Sequence, residues 1–361
     1  MLVTAVEARP LRSLAHTRVE LEAGIVVLVG PNGAGKTNLI EALYFALTGR
    51  SFRTSDRREL IPFGGTLARA AATLRDDDGV EHELVAAVSR SEGRRHLLDG
   101  SPVDPLAAAR HRPAISVFSP DRLALVKGPP SERRAHLDAY VAARWPSRSS
   151  LRRRYGQALA QRNALLGRLA PGAGGGDLEV WDSTLAELAA ELVEVRSTAV
   201  SELAVPFTAL AAELGLGGEA ELVYAPRASG SAEEIRNGLG ERHDADIRLG
   251  RTSWGPHLDE LRIELGSRML RRYGSQGQQR VGLLALLFAE RQALLSARGV
   301  PPLLLLDDVM SELDPERREL LVRSLRGGQA VISAASEDSL PAAALERVVR
   351  MPPPHGAAEA A

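Results

Sequence analysis

The chain contains no cysteine, which excludes disulfides, thiol nucleophiles and cysteine-ligated metals. Its eight histidines are scattered without the spacing of a metal site and read as surface or hydrogen-bonding residues. No stretch approaches the uninterrupted apolar run of a membrane span. The N-terminus lacks a basic start followed by an apolar core and cleavage site, so a cytoplasmic protein with no membrane partner is expected. Heptads sustained over hundreds of residues are also missing, which excludes a long coiled-coil tether. Lysine is scarce: the 45 basic residues include only Lys36 and Lys127. A formal net charge of −1 exerts no bulk attraction on a polyanion. What remains is a globular composition, 44% hydrophobic and 25% charged over 361 residues, long enough for two structural units.

Lys36 survives the bias toward arginine because of where it stands. Gly30-Pro31-Asn32-Gly33-Ala34-Gly35-Lys36-Thr37 matches G-x-x-x-x-G-K-[ST]. The apolar run 25–29 before it reads as a buried strand, and 38–48 after it as a helix closed by Gly49. Strand, glycine-rich loop and helix together make a phosphate cradle: the glycines let backbone N–H groups point inward, and the helix adds its positive dipole end. Lys36 would reach the β and γ phosphates of ATP, and the Thr37 hydroxyl would ligate Mg²⁺. A compact ammonium suits that pocket where a planar guanidinium does not.

The first 118 residues read as an α/β layer with a β-rich flank, including an edge strand at 17–21, hairpin strands at 68–74 and 83–88 around Asp76-Asp77-Asp78-Gly79, and a strand at 115–118. The middle is helical. Apolar positions Leu151, Tyr155, Leu159, Leu166 and Leu169, then Trp181, Leu185, Leu188, Leu192 and Val195, predict two helices over 148–169 and 178–203. Between them lie Ala170-Pro171-Gly172-Ala173-Gly174-Gly175-Gly176 and a capping Asp177, so the pair reads as a short antiparallel hairpin. From about 246 the α/β pattern returns, with strands at 261–265, 303–306 and 330–334, a long helix over 278–296 and a helix capped by Asp314-Pro315 that ends near Leu325. The tail 351–361 reads as disordered. The domain division expected is a head from 1–125 and 245–361, interrupted by an arm over 126–244.

Four leucines, 303–306, run into Asp307 and Asp308. Two adjacent acids at the C-terminal end of a buried strand repel each other unless a cation is bound, and Mg²⁺ is that partner beside a phosphate loop. Asp307 is assigned to the metal, directly or through water, and Asp308 to polarising the attacking water. Ser275-Gln276-Gly277-Gln278-Gln279 precedes a helix and can aim a hydroxyl and backbone N–H groups at an anion, which makes Ser275, Gly277 and Gln278 nucleotide-contact candidates. The catalytic set is then Lys36, Asp308 and Ser275.

Phosphate loop, S-Q-G-Q-Q, acidic strand and Ser311-Glu312-Leu313-Asp314, in that order, resemble the ATP-binding-cassette heads of the SMC/Rad50/RecF class, and the particular wording looks like that of the bacterial RecF family. Gly49-Arg50-Ser51-Phe52-Arg53-Thr54, Ser119-Pro120-Asp121, Arg133-Arg134, Gln161-Arg162-Asn163 and Gly255-Pro256-His257 carry the likeness across nearly the whole chain. The resemblance implies an ABC-type P-loop head of mixed sheet with a helical arm. It also implies a symmetric dimer in which Ser275 and Gly277 of one copy touch the γ-phosphate held by the other, with slow hydrolysis releasing it. DNA at gapped junctions of single and double strands, and cooperation with RecR and RecO to load recombinase, are further implied. The chain departs from the wider class in three places. It has no glutamine before Gln157, leaving Ser119 or Asp121 as stand-ins; Ser333 and Ser336 stand where a switch histidine is expected; and Asp308 replaces the commoner glutamate.

DNA-contact candidates are Arg53, Arg57 and Arg58 beyond the first helix, and Arg152 and Arg153 in the arm. Residues 141–170 hold seven arginines and no acid, whereas 177–244 hold fourteen acids against four arginines. That segregation fits a basic groove for a nucleic acid backbone, two helices pairing by charge, or solvated faces. Two readings compete with a repair clamp: the ATPase subunit of a transporter, and a module that binds nucleotide without hydrolysing it.

Overall fold

The computed structural model describes residues 1–169 and 178–352; the 170–176 linker, the Asp177 cap and the tail from residue 353 lie outside the described residues. In chain order the first strands are β1 (Leu2–Ala8), β2 (Thr17–Glu20), β3 (Ile25–Val29), β4 (Leu67–Arg75), β5 (Glu81–Ser89), β6 (Gly93–Leu98), β7 (Ser101–Pro102) and β8 (Ile115–Phe118). They are followed by β9 (Ala220–Ala225), β10 (Glu260–Leu265), β11 (Arg268–Met269), β12 (Leu303–Leu306), β13 (Ala330–Ala334) and β14 (Arg347–Arg350). Two compact units emerge: the described parts of Met1–Arg122 with Leu294–Ala361, and Leu123–Ala293. The second unit therefore takes residues up to 293, whereas the sequence places the return to the head at 245.

The first unit holds two sheets. A five-stranded sheet runs β14-β3-β13-β12-β8 with all its neighbours parallel, and a six-stranded antiparallel sheet runs β2-β1-β4-β5-β6-β7. β3, β12 and β13 are buried at every position, as strands covered on both faces must be, and their sequences are accordingly unbroken apolar runs apart from Ser333. Helix α1 (Lys36–Thr48) packs against both sheets and buries Leu39, Ile40, Leu43, Phe45 and Leu47 in the same core as Val26 and Leu28 of β3 and Leu74 of β4. Gly49 ends it at φ 63°, in the left-handed region that a Cβ disfavours.

That core also encloses a charge. Glu41 of α1 is fully buried, and it is satisfied by Arg12 (Nε 2.9 Å, Nη2 3.0 Å), Ser51 Oγ (2.5 Å) and Arg53 Nη1 (3.3 Å). A lone buried carboxylate would be costly; three donor residues from two loops make it a tie between α1 and the chain on either side.

In the second unit the helices Pro130–Arg144, Leu151–Leu166 and Glu179–Glu213 pack together, and a short sheet runs β11-β10-β9. The last helix continues ten residues past the predicted 203 and through Pro206, because Phe207 and Ala211 keep burying its inner face. Segregated charge resolves largely as pairing within this unit. Arg144 meets Glu202 at 2.9 Å, Arg148 meets Glu191, and fully buried Arg162 donates to Asp182 and Asp246, each at 2.7 Å. Arg196 likewise binds Asp138 (2.8 Å) and Asp259 (3.0 Å).

Candidate nucleotide site

The phosphate loop joins β3 to α1, in the strand-loop-helix context its sequence requires. Gly33 and Gly35 hold φ 84° and 89°. A Cβ on Gly35 would lie 2.6 Å from Leu14 Cδ2, and one on Gly30 would lie 2.8 Å from the Met351 carbonyl oxygen. Backbone conformation and space therefore both demand glycine, leaving a bare loop against which phosphate oxygens can close. Pro31 and Asn32 are exposed on its rim and Ala34 is buried beneath it. Lys36 Nζ donates to the carbonyls of Gly30 (2.6 Å) and Pro31 (3.0 Å), so its ammonium already lies over the loop. Burial lowers its pKa, opposed by the charges of Asp308 and Asp307.

Because β12 and β13 are neighbours in the parallel sheet, Asp307, Asp308 and Ser333 emerge together. Thr37 Oγ1 lies 2.9 Å from both carboxylate oxygens of Asp307. Asp307 is 4% exposed, and burial raises its pKa. Such a carboxylate is short of positive charge, and Thr37 and Asp307 together offer the one hydroxyl and one carboxylate with which a phosphate-bound Mg²⁺ is usually held. Ser119, the residue after β8, is buried with its Oγ unpartnered among the described residues, and Phe118 just before it accepts the Asp307 N–H at 2.8 Å. An orphaned hydroxyl at that strand end fits a further polar ligand. The Asp121 side chain lies outside what is described.

Ser333 is the residue whose role the sequence does not disclose beyond proximity. Its hydroxyl donates to Asp307 Oδ1 (2.6 Å) and accepts the Asp308 N–H (2.9 Å), so one buried side chain orients both acids. Ser336, by contrast, is exposed. Asp308 is exposed and holds φ 49°. Aspartate tolerates the left-handed region better than glutamate, because its short side chain can bond locally, which accounts for the shorter acid here. Replacing Ser333 by alanine strips a partner from a buried carboxylate oxygen and from a backbone N–H. Urea denaturation should show a loss of about 1–3 kcal/mol, and unchanged stability would refute this role.

The remaining candidates fall in separate places. Arg53 is tied to Glu41 and to Asn38 Oδ1 (3.2 Å) on α1, and its charge reaches Asp307. Arg57 and Arg58 open a 3₁₀ turn, Arg57–Leu60, capped by Asp56. Arg152 and Arg153 are exposed in the second unit, Arg152 within 3.1 Å of Asp138. Ser275 and Gln278, also in that unit, form a reciprocal cap: Ser275 N–H donates to Gln278 Oε1 (2.8 Å), and Gln278 N–H to Ser275 Oγ (3.2 Å). Gln279 is buried and donates to the carbonyls of Leu270 (3.2 Å) and Gly274 (3.1 Å), so it is structural. Gly277 is exposed, with only Ser275 Oγ within 4 Å of where a Cβ would lie.

Comparison with known proteins agrees with this geometry. Residues 2–352 match the model of the RecF/RecN/SMC N terminal domain. The DNA replication and repair protein RecF of an Anaeromyxobacter species (strain Fw109-5) is 38% identical over 338 residues, spanning 90% of this chain and 89% of the relative. That of Streptomyces avermitilis is 37% identical over 361 residues, spanning 94% and 95%. Among solved structures, the recombination mediator protein RecF with ATP, of the RecFOR pathway, superposes with a TM-score of 0.85 at 28% identity over 94% of this chain and 93% of that one. An Smc head bound to the C-winged helix domain of ScpA shares the fold, with a TM-score of 0.57 at 18% identity over 97% of this chain and 94% of that one. The chain belongs to the RecF family of DNA replication and repair proteins, built on the ABC-type ATPase head it shares with SMC proteins.

Proposed function

We propose that the protein is an ATP-gated clamp on DNA, closing as a homodimer at gapped junctions of single and double strands and released by slow, DNA-stimulated hydrolysis. The observation that carries it is the pairing of a phosphate loop with Thr37 and buried Asp307, 270 residues apart in sequence and 2.9 Å apart in space. Lys36 swings from the loop carbonyls to the β and γ phosphates. A Mg²⁺ held by Thr37 and Asp307 would offset phosphate charge there. Asp308, exposed and set by Ser333, accepts a proton from the attacking water. An intact cradle with an exposed acid supports hydrolysis over a nucleotide held only structurally.

Ser275 and Gly277 serve a second copy. Both are exposed at the start of a helix whose first turn Ser275 and Gln278 cap, which suits them to the γ-phosphate held by a partner. RecF relatives act in the RecFOR pathway, and by analogy RecR and RecO would use the closed dimer to load recombinase. Ser275→Arg separates nucleotide binding from closure. Calorimetry should find ATP bound as by wild type, while light scattering with ATP, Mg²⁺ and gapped DNA finds monomers. Dimers formed equally by both proteins would refute it.

A further inference from the structure

We propose that an open groove beside the phosphate loop takes the base of the bound nucleotide, stacked against the ring of Phe63. This rests on the nucleotide-site reading and assigns a contact to the half of ATP that the phosphate loop does not touch.

Of the six phenylalanines, Phe63 alone is fully exposed; Phe45, Phe118, Phe207 and Phe288 are buried and Phe52 is half-buried. Phe63 stands at the tip of a tight turn. The Gly65 N–H donates to the Pro62 carbonyl at 2.9 Å, and Gly64 holds φ 74° at the third position, as in a type II turn. The turn fixes where the ring stands, so a ligand that stacks on it has little ordering left to do. Phe63 lines a groove of about 580 Å³, within the size range of small-molecule sites, together with Pro10, Leu14, Ala15, Pro62 and Leu67. The groove adjoins the phosphate loop. Leu14 Cδ2 lies 2.6 Å from where a Cβ on Gly35 would stand, and Ser13 Oγ accepts from Nδ2 of Asn38, the residue after Thr37, at 2.8 Å. Loop, groove and turn all belong to the first unit, so a nucleotide whose phosphates fill the loop finds the groove on the same surface.

Charge decides what fits there. Among the described residues Arg12 is the one charged side chain lining the groove, and its guanidinium is already bound to buried Glu41 at 2.9 and 3.0 Å. The Ser13 hydroxyl is engaged by Asn38. A phosphate in the groove would therefore lose its water without gaining a cation. An uncharged, flat ring meets apolar walls and an aromatic face, the pairing by which proteins hold bases irrespective of their hydrogen-bonding edges.

Phe63→Ala tests the site, and folding does not depend on a ring that is fully exposed. Calorimetry with Mg²⁺ should find ATP bound about tenfold more weakly, and Phe63→Tyr should bind as wild type does. Etheno-ATP, whose emission falls when its base stacks on an aromatic ring, reads the contact directly. At saturation it should be quenched on wild type and on Phe63→Tyr and bright on Phe63→Ala. Equal ATP affinity and equal emission for wild type and Phe63→Ala would overturn the base site and leave the phosphate loop and the clamp standing. Wild-type protein that bound no ATP would overturn the nucleotide reading and this site together. Phe63→Ala protein that bound ATP normally, yet lost single-stranded DNA or no longer closed as a dimer, would give the ring another occupant and would also overturn it.

Discussion

Lys36→Ala is expected to weaken ATP binding about 100-fold, measured by calorimetry. The ammonium is the cationic side chain reaching over the phosphate loop, and it would make charge-assisted bonds to two phosphates, each contributing about 1.5–3 kcal/mol. Some of that is regained by the loop's backbone donors, so about 3 kcal/mol is the net loss expected, which corresponds to the stated factor. Folding should be spared, because the lysine's partners are two loop carbonyls at 2.6 and 3.0 Å that water can satisfy. Lys36→Arg keeps the charge and tests shape. A wide guanidinium should lose most of the same affinity, since a compact ammonium and not a planar fork suits the point beside the Gly30 and Pro31 carbonyls. If both variants bound ATP like wild type, the loop would not be the nucleotide site.

Asp308→Asn should slow hydrolysis by about 10²–10⁴-fold and prolong the life of the ATP-bound dimer. Here the backbone makes the experiment clean. Position 308 holds φ 49°, and asparagine is among the few residues besides glycine that occupy that region readily. The Asp308 N–H still finds Ser333 Oγ at 2.9 Å, since the substitution does not touch the main chain. ATP binding is then retained while the proton acceptor is gone. Asp307→Asn acts elsewhere: it removes a charge from a carboxylate already bonded by Thr37 and Ser333, and Mg²⁺ dependence should weaken first. Phosphate release at the wild-type rate from Asp308→Asn would remove Asp308 from catalysis.

Much of the site is written locally. A glycine-rich loop between an apolar run and a largely apolar helix closed by Gly49 specifies β3, the loop and α1 through backbone freedom and turn chemistry alone. Four leucines before two acids specify β12, and Asp314-Pro315 caps the following helix as its sequence predicts, accepting the Arg317 N–H at 3.0 Å. Each of these signals spans a few residues and needs no partner to be legible.

Where the arginines go is different in kind. Residues 141–170 read with equal reason as a nucleic acid groove or a charge-paired helix, because composition reports charge and not neighbours. Only the packing of Leu151–Leu166 against Glu179–Glu213, and the return of the chain at Asp246, neutralises Arg162. Ser333 illustrates the same limit: nothing in Ala330–Ala334 marks it as an orienting group until β13 lies beside β12 and brings it to Asp307. Sequence by itself determined the phosphate loop, the acidic strand end and the alternation of sheet and helix, since these follow from periodicity and turn chemistry between near neighbours. Tertiary structure alone decided which charges are neutralised, which hydroxyl sets the two acids and where the units divide, because each depends on contacts between residues tens to hundreds of positions apart.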